Sequence, residues 1–140
     1  MSIYKDKVIW VTGASSGIGI EMVRQLAAKG AKLVLSSRNE DKLTEIKNTL
    51  TKPSSHLVLP LDLENSASFD ILALKVNDHF GRIDFLFNNG GLSQRSNVRD
   101  TPIEVDRRIM EINYFGNIFF FIFYFIQSGY QGAQHHQLRY

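Results

Sequence analysis

Cysteine is absent from this 140-residue chain, and neither sign of charge dominates it. The lack of cysteine excludes disulfides, thiolate metal sites and cysteine nucleophiles. Lysine and arginine number 16 against 14 aspartates and glutamates, so the net charge is only +2, and the basic residues are scattered. We therefore expect no nucleic-acid partner. No metal site is expected either, because the adjacent His135 and His136 lack the spacing of metal ligands on a defined element.

The start of the sequence lacks the apolar core of a secretion signal. The segment Met1–Lys7 is polar, so we expect a cytoplasmic protein. An unbroken apolar and aromatic run, Ile118–Ile126, holds half of the ten phenylalanines. It is shorter than the roughly twenty residues that a membrane-spanning helix needs. Association with the endoplasmic reticulum membrane through this run stays open as an alternative.

Four short apolar runs alternate with stretches in which apolar residues recur every three or four positions. This alternation predicts parallel strands joined by crossover helices, which is an α/β fold. The predicted strands are Val8–Val11, Lys32–Ser36, Leu57–Leu61 and Ile83–Phe87. Right-handed crossovers give the order 3-2-1-4. The order reverses between the first and fourth strands, and a ligand crevice is expected at that point.

A glycine-rich segment joins the first strand to the first helix. It reads Thr12-Gly13-Ala14-Ser15-Ser16-Gly17-Ile18-Gly19. In such a turn the glycines let the backbone approach a pyrophosphate, and the helix N-terminus offers N–H groups to it. The sequence therefore predicts a Rossmann-like, doubly wound parallel sheet that holds a dinucleotide.

Three further motifs follow this segment. They are Asp62-Leu63, Asn88-Asn89-Gly90-Gly91 and Ile112-Asn113-Tyr114-Phe115-Gly116. In this order and spacing, the four motifs resemble the short-chain dehydrogenase/reductase family. The loop over residues 88–96 is similar to that of the member 7 type within the family. The resemblance covers residues 7–116, roughly the N-terminal half of such an enzyme, and implies a sheet truncated after about four strands.

The resemblance also implies a set of cofactor-binding residues. Those around the phosphates are Gly13, Ser15, Ser16, Gly17, Ile18 and Gly19. Asp62 and Leu63 match the pair that meets the adenine ring. Asn89, Gly90 and Gly91 match the turn against the ribose near the nicotinamide. Gly90 replaces the alanine that is usual in the family, and we expect this change to be mild because it adds backbone freedom rather than bulk.

The end of the second strand bears on the choice of cofactor. An NAD site places a carboxylate there to bind the ribose 2′-hydroxyl. This sequence has Ser36-Ser37-Arg38-Asn39 instead, with no acid at the tip. A guanidinium pairs well with a 2′-phosphate. We therefore predict that Ser37 and Arg38 contact the cofactor and that NADP(H) is preferred over NAD(H).

The family, as the resemblance implies, reduces carbonyls or oxidises alcohols with a serine, a Tyr-x-x-x-Lys pair and an upstream asparagine. The lysine lowers the pKa of the tyrosine, and the four-residue spacing puts both on one helical face. Asn113 is the only residue of this chain at a matching catalytic position. The last lysine is Lys75, and no tyrosine has a lysine four residues later. We therefore expect an oxidoreductase fragment that binds cofactor but is inactive alone.

The segment after the fourth strand predicts another helix. Thr101 would cap it, with Pro102 at its first position and Glu104 two residues on. Its buried stripe would be Val105, Ile109, Ile112 and Gly116.

We divide the chain into a nucleotide-binding half-domain, residues 1–117, and a tail, residues 118–140, that is first aromatic-rich and then polar. The resemblance implies dimerisation through the helix over residues 102–126. Two alternatives to an oxidoreductase stay open. One is a non-catalytic truncated isoform that pairs with full-length homologues, and the other is a membrane-associated fragment.

Overall fold

The computed structural model describes residues 2–127. The strands are β1 (Val8–Thr12), β2 (Lys32–Ser36), β3 (Leu57–Val58) and β4 (Phe85–Phe87). The α-helices are α1 (Gly17–Ala28), α2 (Glu40–Thr49), α3 (Phe69–Phe80), α4 (Ile103–Met110) and α5 (Asn117–Gln127), with a π-helical segment, Glu111–Gly116, between α4 and α5. Short 3₁₀ turns lie at Pro53–Ser55, Ser66–Ser68 and Val98–Asp100.

The four strands form one parallel sheet in the order β3-β2-β1-β4, which confirms the predicted order. β1 pairs with β2 along its whole length, from Val8 to Thr12. On its other side it pairs with β4, whose Phe85 lies opposite Ile9. All strands therefore end on one edge, where the sequence predicts the crevice.

The third strand is shorter than the predicted Leu57–Leu61. Pro60 follows it, and its nitrogen faces away from β2, because the preceding Leu59 N–H donates to the Leu35 carbonyl at 3.0 Å and β3 is an edge strand. The chain nevertheless stays beside β2, since the Leu61 N–H donates to the Ser37 carbonyl at 3.0 Å. The residues that follow β3 are thus delivered to the same edge as the end of β2.

Hydrogen bonds of three buried side chains connect β1, β2 and the chain around β3. Trp10 Nε1 donates to the Ser36 hydroxyl at 2.8 Å, and this hydroxyl donates to the Leu59 carbonyl at 2.6 Å. At the opposite end, the His56 Nδ1 accepts the Leu33 N–H at 3.1 Å. Burial lowers the pKa of His56, which favours the neutral ring that this bond requires.

Helices cover both faces of the sheet. Ile9 and Val11 of β1 pack with residues of α1 and α2 on one face. Val8 and Trp10 pack with residues of α3 and α5 on the other. This division follows from the alternation of side chains along a strand. A parallel sheet between two helical layers is the doubly wound α/β architecture, so the predicted Rossmann-like fold is confirmed.

The helical run that ends at Gln127 starts at Ile103, and the prediction that Thr101 caps it is wrong. The Thr101 hydroxyl donates to the Asn97 carbonyl at 2.8 Å and is therefore engaged in the preceding turn. Pro102, in an extended conformation, takes the N-cap position and not the first helical one. Its carbonyl accepts the Val105 N–H at 3.0 Å.

The predicted stripe on this helix is buried only at its C-terminal end. Ile112 and Gly116 are buried, whereas Val105 and Ile109 are half-buried. The next residue to enter the core is Phe120, four positions after Gly116, so the buried stripe continues at ordinary helical spacing through the π-helical segment.

Phe120 is fully buried in the core between the sheet and α3. Its ring lies 4.7 Å from that of Trp10 and 5.3 Å from that of Phe69, edge to face in both cases. The boundary that we predict at residue 117 falls inside the helical run. Residues 128–140 of the predicted tail lie outside the described part of the chain.

Candidate cofactor site

A cleft of about 230 Å³ lies at the carboxyl ends of the four strands. Each strand contributes the residues that follow it, and the π-helical segment closes one side. The lining residues are Thr12, Gly13, Ser15, Ser16, Ser36, Ser37, Arg38, Asn39, Leu61, Asp62, Leu63, Gly90, Gly91, Leu92 and Ile112. The crevice predicted from the strand order is therefore present at the expected edge.

The turn between β1 and α1 is so closely packed that two of its positions require glycine. Gly13 has a φ of +66°, and a Cβ on it would lie 2.9 Å from the Gly90 Cα. A Cβ on Gly19 would overlap the Gly13 carbonyl oxygen. Below the turn, Asn89 Nδ2 donates to the Thr12 carbonyl at 3.2 Å. The two glycines thus allow α1 to start directly beside the end of β4.

The start of α1 has no capping side chain. Ser16 holds the N-cap position without a side-chain hydrogen bond, and the first turn of α1 contains no acidic residue. The helix α2 differs, because Asn39 caps it and two acidic residues occupy its first turn. Free N–H groups and the positive end of the helix dipole therefore remain at the start of α1. Both favour an anion such as phosphate.

Thr12, the last residue of β1, connects the two turns that border the cleft. Its hydroxyl accepts the N–H groups of Asn89, at 3.1 Å, and Gly90, at 2.9 Å. It also donates to the Phe87 carbonyl at 3.3 Å. These three bonds use the full capacity of a hydroxyl group. Thr12 was not among the predicted site residues, and the available signal was its place directly before Gly13.

The residues that follow β3 form the wall of the cleft opposite α1. Leu63 is buried, and two glycines allow its close packing: a Cβ on Gly90 would approach the Leu63 Cδ1 to 2.9 Å, and one on Gly116 would overlap the Leu63 carbonyl oxygen. Asp62 is exposed, and its carboxylate accepts the Glu64 N–H at 3.0 Å. An alanine at position 90 would require the Leu63 side chain to move.

Charged side chains of both signs surround this wall. Arg38 is exposed and forms no ion pair with any residue from 2 to 127. Arg108 of α4 binds Glu64 through two bonds, Nε to Oε1 at 3.0 Å and Nη2 to Oε2 at 3.1 Å. This hydrogen-bonded pairing lowers the pKa of Glu64 and raises that of Arg108. The charge of Arg38 also lowers the pKa of Glu64, and the charge of Asp62 also raises the pKa of Arg108.

Asn113 lies beside the cleft and not in its lining. Its Nδ2 donates to the Leu92 carbonyl at 2.8 Å, and its Oδ1 accepts the Leu92 N–H at 2.7 Å. Asn117 Nδ2 adds bonds to the carbonyls of Gly90, at 3.3 Å, and Asn113, at 3.1 Å. The two asparagines therefore attach the loop after β4 to the π-helical segment. The catalytic assignment of Asn113 stays a prediction.

Most of the predicted cofactor residues are brought together in the cleft. They are Gly13, Ser15, Ser16, Ser37, Arg38, Asp62, Leu63, Gly90 and Gly91. Gly17 and Ile18 are exposed at the start of α1, while Gly19 and Asn89 lie below the turn. The lining also includes residues that were not among the predicted cofactor contacts: Ser36, Asn39, Leu61, Leu92 and Ile112. That these residues contact a cofactor stays a prediction.

Within residues 2–127, no three histidines, aspartates or glutamates are grouped as metal ligands would be. His135 and His136 lie outside this range. No helix in the same range combines the length and the apolar character needed to cross a bilayer.

The sheet order, the two helical layers and the cleft define a Rossmann-like α/β protein. Comparison with known proteins then gives the family. The family model described as short chain dehydrogenase matches residues 7–123, so the chain belongs to the short-chain dehydrogenase/reductase family of oxidoreductases. This family binds nicotinamide dinucleotides.

Among curated relatives, the chain is similar to the dehydrogenase/reductase SDR family member 7 of Homo sapiens. The two are 48% identical over 118 residues, which are 81% of this chain and 35% of that relative. The chain thus spans about a third of the length of that protein. The similarity agrees with the member 7 type that the loop over residues 88–96 indicates.

Solved structures give the same result. A short chain dehydrogenase structure from Pseudomonas syringae superposes with a TM-score of 0.82 at 31% identity, over 90% of this chain and 54% of that one. A xylitol dehydrogenase in its NAD⁺-bound form superposes with a TM-score of 0.83 at 26% identity, over 90% of this chain and 49% of that one.

Proposed function

We propose that this chain is an NADP(H)-binding part of a short-chain dehydrogenase/reductase that acts on carbonyl or alcohol substrates. The observation that carries the proposal is the start of α1 at one end of the cleft, which has no side-chain cap, together with Arg38 on the rim, which forms no ion pair with any residue from 2 to 127. The start of α1 suits the pyrophosphate, which both NAD(H) and NADP(H) contain. The Arg38 guanidinium suits the 2′-phosphate, which only NADP(H) contains.

The residues present fit such a cofactor. The N–H groups at the start of α1 would hold the pyrophosphate, and Asp62 and Leu63 would hold the adenine. The space beside Gly17 is open, since a Cβ on it would meet nothing within 4 Å. Asn89, Gly90 and Gly91 would lie against the nicotinamide ribose, fixed by the Thr12 hydroxyl. When bound, the cofactor supplies or accepts the hydride.

The same proposal covers catalysis. Asn113 is the only residue at a position of the family's catalytic group, and the sequence has no Tyr-x-x-x-Lys pair. We therefore propose that these 140 residues bind cofactor with little turnover of their own.

Replacing Arg38 with aspartate tests the cofactor preference. We expect the Kd for NADPH to rise about 10- to 100-fold, the usual worth of a charge-assisted bond, while the Kd for NADH stays the same or falls. Titration of NADPH and NADH fluorescence measures both. Arg24→Asp, on the exposed face of α1, makes the same change of charge away from the cleft. An unchanged ratio of the two affinities in the Arg38 variant would refute the assignment.

A second candidate function is pairing with another short-chain dehydrogenase chain through residues 102–126. It is favoured by a group of large apolar side chains that are 40–52% exposed on the π-helical segment and α5: Tyr114, Phe115, Ile118, Phe119 and Ile122. Patches of this kind often mark interaction sites. Light scattering should show a dimer that Ile122→Asp converts to a monomer. A monomeric wild type that does not bind a full-length homologue would exclude this candidate.

A further inference from the structure

The Glu64–Arg108 ion pair joins two elements that border the adenine side of the cleft. Glu64 directly follows Asp62 and Leu63, and Arg108 belongs to α4, 44 positions further along the chain. Two nearly equal bonds, 3.0 and 3.1 Å long, give the pair the bidentate geometry in which a guanidinium and a carboxylate are mutually oriented. The pair therefore has a defined position.

Two charged residues of the cleft lining lie within electrostatic range of this pair. Arg38 and Asp62 line the same cleft, and the Leu61 N–H bond to the Ser37 carbonyl, 3.0 Å long, holds the chain after β3 beside the end of β2. The Asp62 carboxylate in turn accepts the Glu64 N–H at 3.0 Å. Two cations act on Glu64: Arg108, which binds it, and Arg38, which helps to lower its pKa and to which the proposed function assigns the 2′-phosphate. In this arrangement Arg108 neutralises a carboxylate that would otherwise act on Arg38 and on the phosphate.

We infer that the Glu64–Arg108 pair sets how strongly the cleft binds a 2′-phosphate, which makes Arg108 and Glu64 specificity-determining residues. The inference rests on the proposed NADP(H) function. Without Arg108, the free Glu64 carboxylate would attract the Arg38 guanidinium and repel the phosphate. Without Glu64, the freed Arg108 would add a second positive charge on the same side of the cleft.

The position of the pair at the surface makes this effect separable from folding. The side chains of Arg108 and Glu64 are 50% and 32% exposed. Ion pairs of this kind contribute little to stability. Substitution of either residue should therefore leave the melting temperature nearly unchanged, and any change in ligand affinity then reflects the local charge.

The test compares 2′,5′-ADP, which carries the 2′-phosphate, with 5′-AMP, which lacks it. Binding of each to the full chain is measured by isothermal titration calorimetry. Arg108→Gln should weaken the binding of 2′,5′-ADP about three- to tenfold, and Glu64→Gln should strengthen it about threefold. The affinity for 5′-AMP should be unchanged in both variants. The double variant should lie near the wild type. Added salt should reduce these differences.

Arg82→Gln is the matched control, because Arg82 also belongs to a surface ion pair, with Asp84 at 3.1 Å, and precedes β4 at the opposite edge of the sheet. It should change neither affinity. Equal effects of the Arg108 substitution on both nucleotides would overturn the inference, since the pair would then be structural. Unchanged binding of 2′,5′-ADP in both variants would overturn it as well. A wild type that does not bind 2′,5′-ADP would instead refute the NADP(H) function on which it rests.

Discussion

Replacing Gly19 with alanine should destabilise the fold by about 3 kcal/mol or more, because the new methyl group has no space. It would overlap the Gly13 carbonyl oxygen and lie 2.9 Å from Asn89 Nδ2. The overlapping atom belongs to the backbone, which cannot move without opening the β1–α1 turn. We expect the melting temperature to fall by about 10 °C, measured by circular dichroism, and NADPH binding to be lost.

The sign of this result is informative, because helix propensity alone predicts the opposite. Gly19 lies in the first turn of α1, and an alanine inside a helix is normally favoured over glycine by about 1 kcal/mol. Gly17→Ala is the matched control, since a Cβ at Gly17 would meet nothing within 4 Å. Its positive φ of +50° should cost only about 1–2 kcal/mol. A Gly19 variant as stable as the wild type would contradict the packing of the turn.

The features that the sequence predicted well depend on neighbouring residues. The alternation of short apolar runs with stretches of helical periodicity located all four strands. Right-handed crossovers between them gave the order 3-2-1-4. The glycine-rich segment located the turn after β1, because positive φ and close backbone approach restrict Gly13 to one residue type. Strand order then placed the cleft. Each of these inferences needs only local spacing and a general rule of topology.

The features that the sequence did not predict depend on contacts between distant residues. The hydroxyl of Thr12 binds residues more than 70 positions away, and its place directly before Gly13 does not reveal those partners. The Glu64–Arg108 pair likewise joins two polar segments. The predicted cap at Thr101 failed for a local reason, since the hydroxyl belongs to the turn that starts at Asn97 and the helix starts only at Ile103.

In the aromatic run after residue 117, composition and helical spacing point to different interpretations. Its composition suggests a separate segment, because apolar residues occupy every face of the predicted helix. In the structure Phe120 is buried in the core, four positions after Gly116, and so continues the stripe that includes Ile112 and Gly116. The composition of the run does not distinguish Phe120 from its neighbours, whereas its spacing from the stripe does.

Replacing Phe120 with alanine should therefore cost about 3–5 kcal/mol, the range for removing a buried phenylalanine. The ring is fully buried and makes edge-to-face contacts with Trp10 and Phe69. Its loss should leave a cavity between the sheet and α3. Urea unfolding measures the change in free energy. Trp10 is the only tryptophan, so its fluorescence reports the same cavity directly.

Phe119→Ala provides the matched control, because Phe119 neighbours Phe120 in α5 but is 42% exposed. In dilute solution this substitution should lower the free energy of unfolding by less than about 1 kcal/mol, since little buried surface is lost. A large difference between the two variants means that α5 is part of the folding unit of the sheet. Equal and small effects would mean that residues 118–127 fold apart from it, and the half-domain would then end at residue 117. The comparison thus decides where the folded unit ends within the described residues.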